Sequence, residues 1–490
     1  MPDWKSGLER NRIMGEDLLK NAYDAATFRT EGHKLVDLLA DYLEEAVHGR
    51  TEKVIEWAPP KDAAAHWAAF EGGPGDIFRE VLRGAIKLHH PRYMGHQVCP
   101  PLPAAALAGL LNDLLNNGMG VYEMGIPGTA MERFVVRSVA DKMGFGPASD
   151  GILTSGGTLA NLTAILCARS IKAGQPVWKS GNKGQLALMV SAEAHYCVDR
   201  AVRIMGWGAD GIIKVPVDDR FRMRTEFLEP LYQEALAAGK EVIAVVGSAC
   251  TTASGSFDDL RAIGRFAQER GLWFHVDGAH GLACAYAQKY RFLTEGVELA
   301  DSLVMDFHKM LLSPTITTAL VFRSGEHSFR TFAQKAEYLL NQEGSEDWYN
   351  LAKRTFETTK TMLSLRPYLM MKQYGESLFE TYITRVNDLC AAFAAMLEGR
   401  EGWELATQPF CNILCFRFVP PGADEQAANT FNATARQALI EAGEFYLVQT
   451  VLRGKTWLRV TLTNPFTAMD DLRALVEAVE QFHKPLRPGR

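Results

Sequence analysis

Five short runs of apolar, β-branched or aromatic residues each stop abruptly at polar side chains, with stretches of helical spacing between them. The stops fall at Gly156, His195, Ser248, Asp277 and His308, and segments such as Thr225–Ala238 and Asp259–Arg270 fill the intervals. Strand and helix alternating in this way build a mainly parallel sheet wrapped on both faces. The pattern restricts the chain to the α/β class. It also sets the polar stops at the carboxyl ends of strands, where open sheets collect ligands.

Two of these stops read Asp277-Gly-Ala-His280 and Asp306-Phe-His308-Lys309. An aspartate and a lysine presented this way suit pyridoxal phosphate, which needs an amine to hold its aldehyde and a carboxylate to keep its ring nitrogen protonated. Lys309 is expected to serve the first need and Asp277 the second. Alone the pair is weak, because Asp277 as a helix cap and Lys309 as a solvated cation is the blander account.

The stretch Thr154-Ser-Gly-Gly-Thr-Leu-Ala-Asn161 strengthens it. An apolar run turns through Gly156 and Gly157 into a long helical segment, so free backbone N–H groups at the helix start can face an anion. Without a ligand the same residues make a tight turn capped by Thr158. The spacing fits neither GxxxxGK[ST] nor GxGxxG, which points to one phosphate monoester rather than a triphosphate or dinucleotide. His195, just past a strand end, can lie on an aromatic ring, move a proton, or serve only as a well-bonded structural residue. Ser248 and the Thr251-Thr252 pair arrive at another strand end.

With 490 residues the chain exceeds one small core. An N-terminal helical segment (1–90), a large domain (91–362) and a small α+β domain (363–490) are expected. Asp24–Glu45 reads as an amphipathic helix whose broad apolar stripe is covered by a partner subunit or by its own domain. The span Leu88–Pro103 holds four prolines and is expected to be extended. Its His89, His90 and His96 lack acidic or thiol partners at ligand spacing, so no metal is expected. Gln334–Asn350 reads as an exposed loop with Trp348 as an anchor, Ala352–Tyr374 as a helix leading out of the large domain.

The net charge of −6 gives no footprint for nucleic acid or an anionic membrane. Eight scattered cysteines without a CxxC pair suggest reduced thiols and a cytoplasmic protein. No apolar run is long enough to cross a bilayer.

Thr154–Asn161, Ala194-His195, Ser-Phe-Asp258, His-Val-Asp277 and His308-Lys309, in this order and spacing, resemble the group II pyridoxal-phosphate-dependent amino acid decarboxylases. These act on aromatic amino acids, glutamate, cysteine sulfinate or 2,4-diaminobutyrate. The resemblance runs from His90-Pro-Arg-Tyr to Thr463-Asn464-Pro465. It implies fold type I, with a mostly parallel seven-stranded sheet in a large domain, a smaller C-terminal domain, and an N-terminal segment clasping the other subunit of a homodimer.

By the same resemblance Gly157 and Thr158 bind the phosphate, with Ser248 and His308 near it. His195 stacks on the ring, Ala279 packs on the opposite face, and Gln97 and Arg459 line the substrate side, where Arg459 meets a carboxylate. Tyr349, from a loop of the neighbouring subunit, is the candidate proton donor, with Tyr338 as the alternative. The implied reaction is loss of CO₂ from an L-amino acid. An aldehyde synthase, an aminotransferase or a non-catalytic binding protein of the same fold are the rivals, and His195 favours simple decarboxylation.

Two departures stand out. The chain reads His-Val-Asp277-Gly278-Ala279-His280 where many relatives end on an aromatic residue, and Asp306 adds a negative charge beside the His-Lys pair. Which amino acid is used, acidic, basic or aromatic, stays open: Asn464-Pro465 and His308-Lys309-Met310 look more like the acidic-substrate branch, His90–Gln97 like diaminobutyrate-type members.

Overall fold

The computed structural model describes residues 15–332 and 347–483. Strands β1 (Asp150–Thr154), β2 (Gln185–Ser191), β3 (Ile212–Val215), β4 (Lys240–Ser248), β5 (Trp273–Asp277), β6 (Ser302–Asp306) and β7 (Thr318–Phe322) form a seven-stranded sheet in the order β1-β7-β6-β5-β4-β2-β3. All neighbours are parallel except those of β7, which runs antiparallel to both β1 and β6. The five strands expected from the polar stops are all present, and the mostly parallel α/β architecture follows from the helices that return the chain between them.

Side-chain alternation along the strands decides which face each residue serves. In β5, Phe274 and Val276 enter one apolar cluster while Trp273 enters the other, and in β6 Leu303 and Met305 oppose Val304 in the same way. His275 and Asp277 therefore share the face of Trp273, and Ser302 and Asp306 that of Val304. The helix Gly157–Lys172 covers this face through Ala160, Ala164, Ile165 and Ala168.

The C-terminal part pairs β8 (Trp403–Leu405), β9 (Ile413–Phe418), β10 (Val448–Leu452) and β11 (Lys455–Thr461) in an antiparallel sheet of order β10-β11-β9-β8. Its core joins Phe393, Phe416, Leu458, Val460 and Leu475, and takes in Met94 from the proline-rich span. That span forms no regular element before Pro103, as its prolines require, but it is not extended throughout: it turns at Leu88–Arg92 and bends at His96 and Gln97, and Tyr93 bridges to Tyr446. His89 Nε2 bonds the Pro101 carbonyl at 3.0 Å, while Nδ1 of His90 accepts from Arg92 N–H at 3.1 Å.

The N-terminal helix runs Ala25–Val47, capped by Asp24, whose carboxylate accepts the Thr27 N–H at 2.7 Å. Only Ala46 of this helix is buried, and Val36 and Leu39 each remain 44% exposed. The stripe is thus only partly covered by its own chain, with Leu35, Leu38, Tyr42 and Leu43 half-buried and the Tyr42 ring 6.1 Å from that of His89.

The helix expected over Ala352–Tyr374 is not there as such. Residues Leu351–Lys353 form one 3-10 turn, and a helix starts only at Leu365 and continues to Glu398, broken at Gly375 by a left-handed φ of 65°. Arg354 explains the irregular stretch. Its guanidinium is only 1% exposed, ion-paired with Asp150 at 2.8 Å and bonded to Ser328 Oγ at 2.9 Å, a tertiary demand that overrides helix propensity. Tyr338 lies outside the described residues. No helix among them is long and apolar enough to cross a membrane.

Candidate active site

A cavity of about 320 Å³ opens at the carboxyl ends of β1, β5 and β6. The turn after β1 contributes Ser155, Gly156, Gly157, Thr158 and Asn161, and the loop after β2 contributes His195 and Cys197. Cys250 and Thr252 follow β4, Asp277, Ala279 and His280 close β5, and Asp306, His308 and Lys309 close β6. The lysine and the aspartate singled out in the sequence face the same space.

Gly156 holds φ 116° at the start of the helix Gly157–Lys172, a backbone state that suits glycine, and no side chain caps that helix. Its first-turn N–H groups are left for a ligand, and the helix dipole favours an anion there. Behind this turn a buried relay fixes the strands. Asn161 donates from Nδ2 to the Gly157 carbonyl at 2.9 Å, its Oδ1 meets His275 Nε2 at 2.8 Å, and His275 Nδ1 meets Ser302 Oγ at 2.8 Å. Burial pushes the His275 imidazolium down to about 4, so the ring is neutral at physiological pH.

Lys309 Nζ lies 3.0 Å from Asp306 Oδ2. Burial pushes the ammonium down, but the carboxylates of Asp306 and then Asp277 outweigh it, so the net shift is upward. Asp306 is 2% exposed; burial pushes it up, yet Lys309, His308 and the Thr318 hydroxyl hold it below its ordinary value.

His195 caps the helix Tyr196–Ile204, accepting the Cys197 N–H on Nδ1 at 3.3 Å, which assigns the proton of the neutral ring to Nε2. Burial lowers it despite the nearby Asp277 carboxylate. His280, at the first departure, is pushed by burial to about 3 and bonds Asn412 Oδ1 through Nε2 at 2.8 Å. That bond ties the end of β5 to the C-terminal sheet.

The remaining expected residues stand off the cavity lining. Ser248 is register partner of Asp277, and its N–H donates to Asp258 Oδ2 at 2.9 Å. Arg459 on β11 is 5% exposed, and its Nε and one Nη make no hydrogen bond among the described residues; Gln97 Nε2 and His280 Nδ1 are alike in this. Arg459 bears on His280 and His96 electrostatically, which sets it on the C-terminal side of the site. Tyr349 packs on Tyr122 with ring centroids 5.3 Å apart, away from this chain's own cavity, and Arg133 covers Trp348 at 4.0 Å.

Thr318 was not foreseen. Its hydroxyl donates to Asp306 Oδ1 across the β6–β7 pair. Only the antiparallel return of β7 brings it there, and no local sequence signal announces that return.

An amine, a carboxylate on the adjacent strand, and an uncapped helix start around one cavity are the donor set that a phosphorylated pyridine aldehyde requires, and the residues present fit it. Comparison with known proteins agrees. The pyridoxal-dependent decarboxylase conserved domain matches residues 75–419. Human cysteine sulfinic acid decarboxylase is 30% identical over 399 residues, 77% of this chain and 79% of that protein. L-2,4-diaminobutyrate decarboxylase of Acinetobacter baumannii is 28% identical over 414 residues, 81% of each chain. The crystal structure of mouse CSAD superposes with TM-score 0.85 at 25% identity, covering 93% of this chain and all of that one.

Proposed function

The chain belongs to the pyridoxal-dependent decarboxylase family and is a pyridoxal-phosphate-dependent amino acid decarboxylase, and from that premise we propose which residues act and which substrates they fit. Lys309 holds the cofactor aldehyde through Nζ, and Asp277 keeps the ring nitrogen protonated. The N–H groups of Gly157 and Thr158 take the phosphate, with Ser248 and His308 beside it. His195 and Ala279, which line the same cavity, would hold the ring between them. When bound, pyridoxal phosphate supplies an electron-accepting ring for the pair released as the Cα–carboxylate bond breaks.

The observation that carries these assignments is Lys309 and Asp277 lining one cavity with the uncapped glycine turn. The segments 1–90, 91–362 and 363–490 act as clasp, cofactor domain and small domain. Tyr349 delivers the proton to Cα from the second subunit of a homodimer. Supporting that assembly, Leu107, Leu111 and Leu114 stand 58%, 50% and 64% exposed along one helix face, an apolar surface that a second copy would cover. Eight buried cysteines suit a reducing compartment, and we place the enzyme in the cytoplasm.

Gln97 and Arg459 recognise the substrate. A guanidinium paired with the departing carboxylate would stabilise the ground state more than the transition state, so Arg459 suits a carboxylate or sulfinate that stays on the product. The substrate class we propose is therefore an L-amino acid with an acidic side chain. A panel of L-amino acids assayed for CO₂ and amine tests this. Equal release of both from acidic substrates is expected, whereas turnover confined to aromatic or basic ones refutes the class. Aldehyde formed with hydrogen peroxide refutes simple decarboxylation, and Lys309→Ala should lose the visible absorption of the loaded enzyme.

A further inference from the structure

Among the acidic groups around Lys309, Asp306 is the one set in direct contact. Its backbone N–H bonds the Ala279 carbonyl at 3.0 Å, Thr318 holds Oδ1, and Oδ2 lies 3.0 Å from Lys309 Nζ and 3.6 Å from His308 Nε2. A Cβ built on Gly157 would stand 3.3 Å from Oδ1, so the carboxylate is wedged against the start of the helix Gly157–Lys172. Strand register, hydroxyl and helix start fix it from three sides, and the helix end favours its ionised form.

We propose that Asp306 is the resting partner of Lys309: whenever the lysine is not bonded to cofactor, this carboxylate holds Nζ as an ammonium and so restrains how fast the chain captures its cofactor. The inference rests on the assignment of Lys309 made above. An amine must shed its proton before it can attack an aldehyde carbon, and an ion pair at 3.0 Å with a carboxylate only 2% exposed opposes that loss. When a substrate amine takes its place, Nζ would accept the proton that the substrate's ammonium gives up and return to the same carboxylate, which would keep it off the cofactor during turnover. Asp306 is thus a positioning residue, distinct in task from Asp277.

Other groups face Lys309 as well. Asp277 from β5 and Cys250 from the β4 loop raise its affinity for a proton. His195, Cys197 and His280 feel its charge in turn. Asp306 is the strongest of the groups holding the proton on.

The test uses cofactor-stripped full-length protein in two measurements. The first is pulsed acetylation of Lys309 with acetic anhydride across pH, read by peptide mass spectrometry. The second is the rate of pyridoxal phosphate capture, read by absorbance. In the native chain the acetylation midpoint should lie at or above the free-lysine value of about 10.4. In Asp306→Asn, which keeps the shape, the midpoint should fall by about one pH unit or more and capture near neutral pH should quicken roughly tenfold.

A native midpoint well below that of free lysine overturns the proposal even if the variant fails to fold. So does an unmoved midpoint in a variant that melts like the native chain. No capture by the native protein, with acetylation as expected, would sink the assignment of Lys309 and leave the ion pair standing.

Discussion

Replacing Arg459 by Met should make the enzyme more stable and less active. Arg459 is 5% exposed, two of its donor nitrogens have no partner among the described residues, and the groups acting on its charge besides burial are the thiols of Cys415, Cys250 and Cys411. An unsatisfied buried donor costs about 1–3 kcal/mol, so two cost roughly 2–6 kcal/mol, part of which relaxation recovers. Met keeps most of the volume and removes both donors, for a net gain of about 2 kcal/mol.

With an unfolding entropy of about 2.1 cal/mol/K per residue over a chain of this length, that gain raises Tm by about 2 °C in scanning calorimetry of the loaded enzyme. Loss of a charge-assisted hydrogen bond worth about 1.5–3 kcal/mol should cut kcat/KM for an acidic substrate roughly 10- to 150-fold. A lower Tm with unchanged kcat/KM would show that Arg459 is a structural cation, and the argument from its unpaired nitrogens would fail.

Other outcomes follow from the same geometry. His280 titrates near 3 when folded, pushed down by burial, and near 6.5 when unfolded, so its contribution is present above about 6.5 and lost as pH falls towards the folded value. Between about pH 4 and 6 the stability of His280→Gln should therefore fall less steeply than that of the native chain, by about 1.4 kcal/mol per pH unit, as read from urea titrations. Gly278→Ala places a methyl 2.0 Å from Leu282 Cγ and should destabilise by about 1–3 kcal/mol in the same titrations. All eight cysteines are buried, so a thiol reagent should find them slowly in the native enzyme and fully on denaturation.

The parallel sheet and its ligand-bearing ends were legible because each buried strand is an apolar run with an abrupt polar stop. The edge strand β3 and the C-terminal β8 and β10 were not read, since Ile212–Val215 is short and half-exposed and Trp403–Leu405 is three residues long. Lys309, Asp277 and the glycine turn were legible for the opposite reason, that their chemistry is local. The roles of Thr318 and the His275–Asn161 relay depend on pairings between distant segments. The helix expected over Ala352–Tyr374 loses its first part to the pairing of Arg354 with the distant Asp150 and, after its start at Leu365, runs on past Tyr374 through a break at Gly375.

Strand β1 sits at the rim of the large sheet, where β7 is its one neighbour among the described strands. Within the sheet the anion turn at its end is thus moored through a single strand, besides the Asn161–His275 relay and the pairing of Arg354 with Asp150, while Lys309 rides on the interior side, on the very hairpin that β7 completes. Loosening β7 would let the rim peel away and weaken the phosphate grip, and would take the Thr318 hydroxyl from Asp306 as well, while Lys309 stays at the end of β6. Such a protein would leak its vitamin long before it melted, and a mutation there would be curable by diet-like excess of cofactor rather than by refolding.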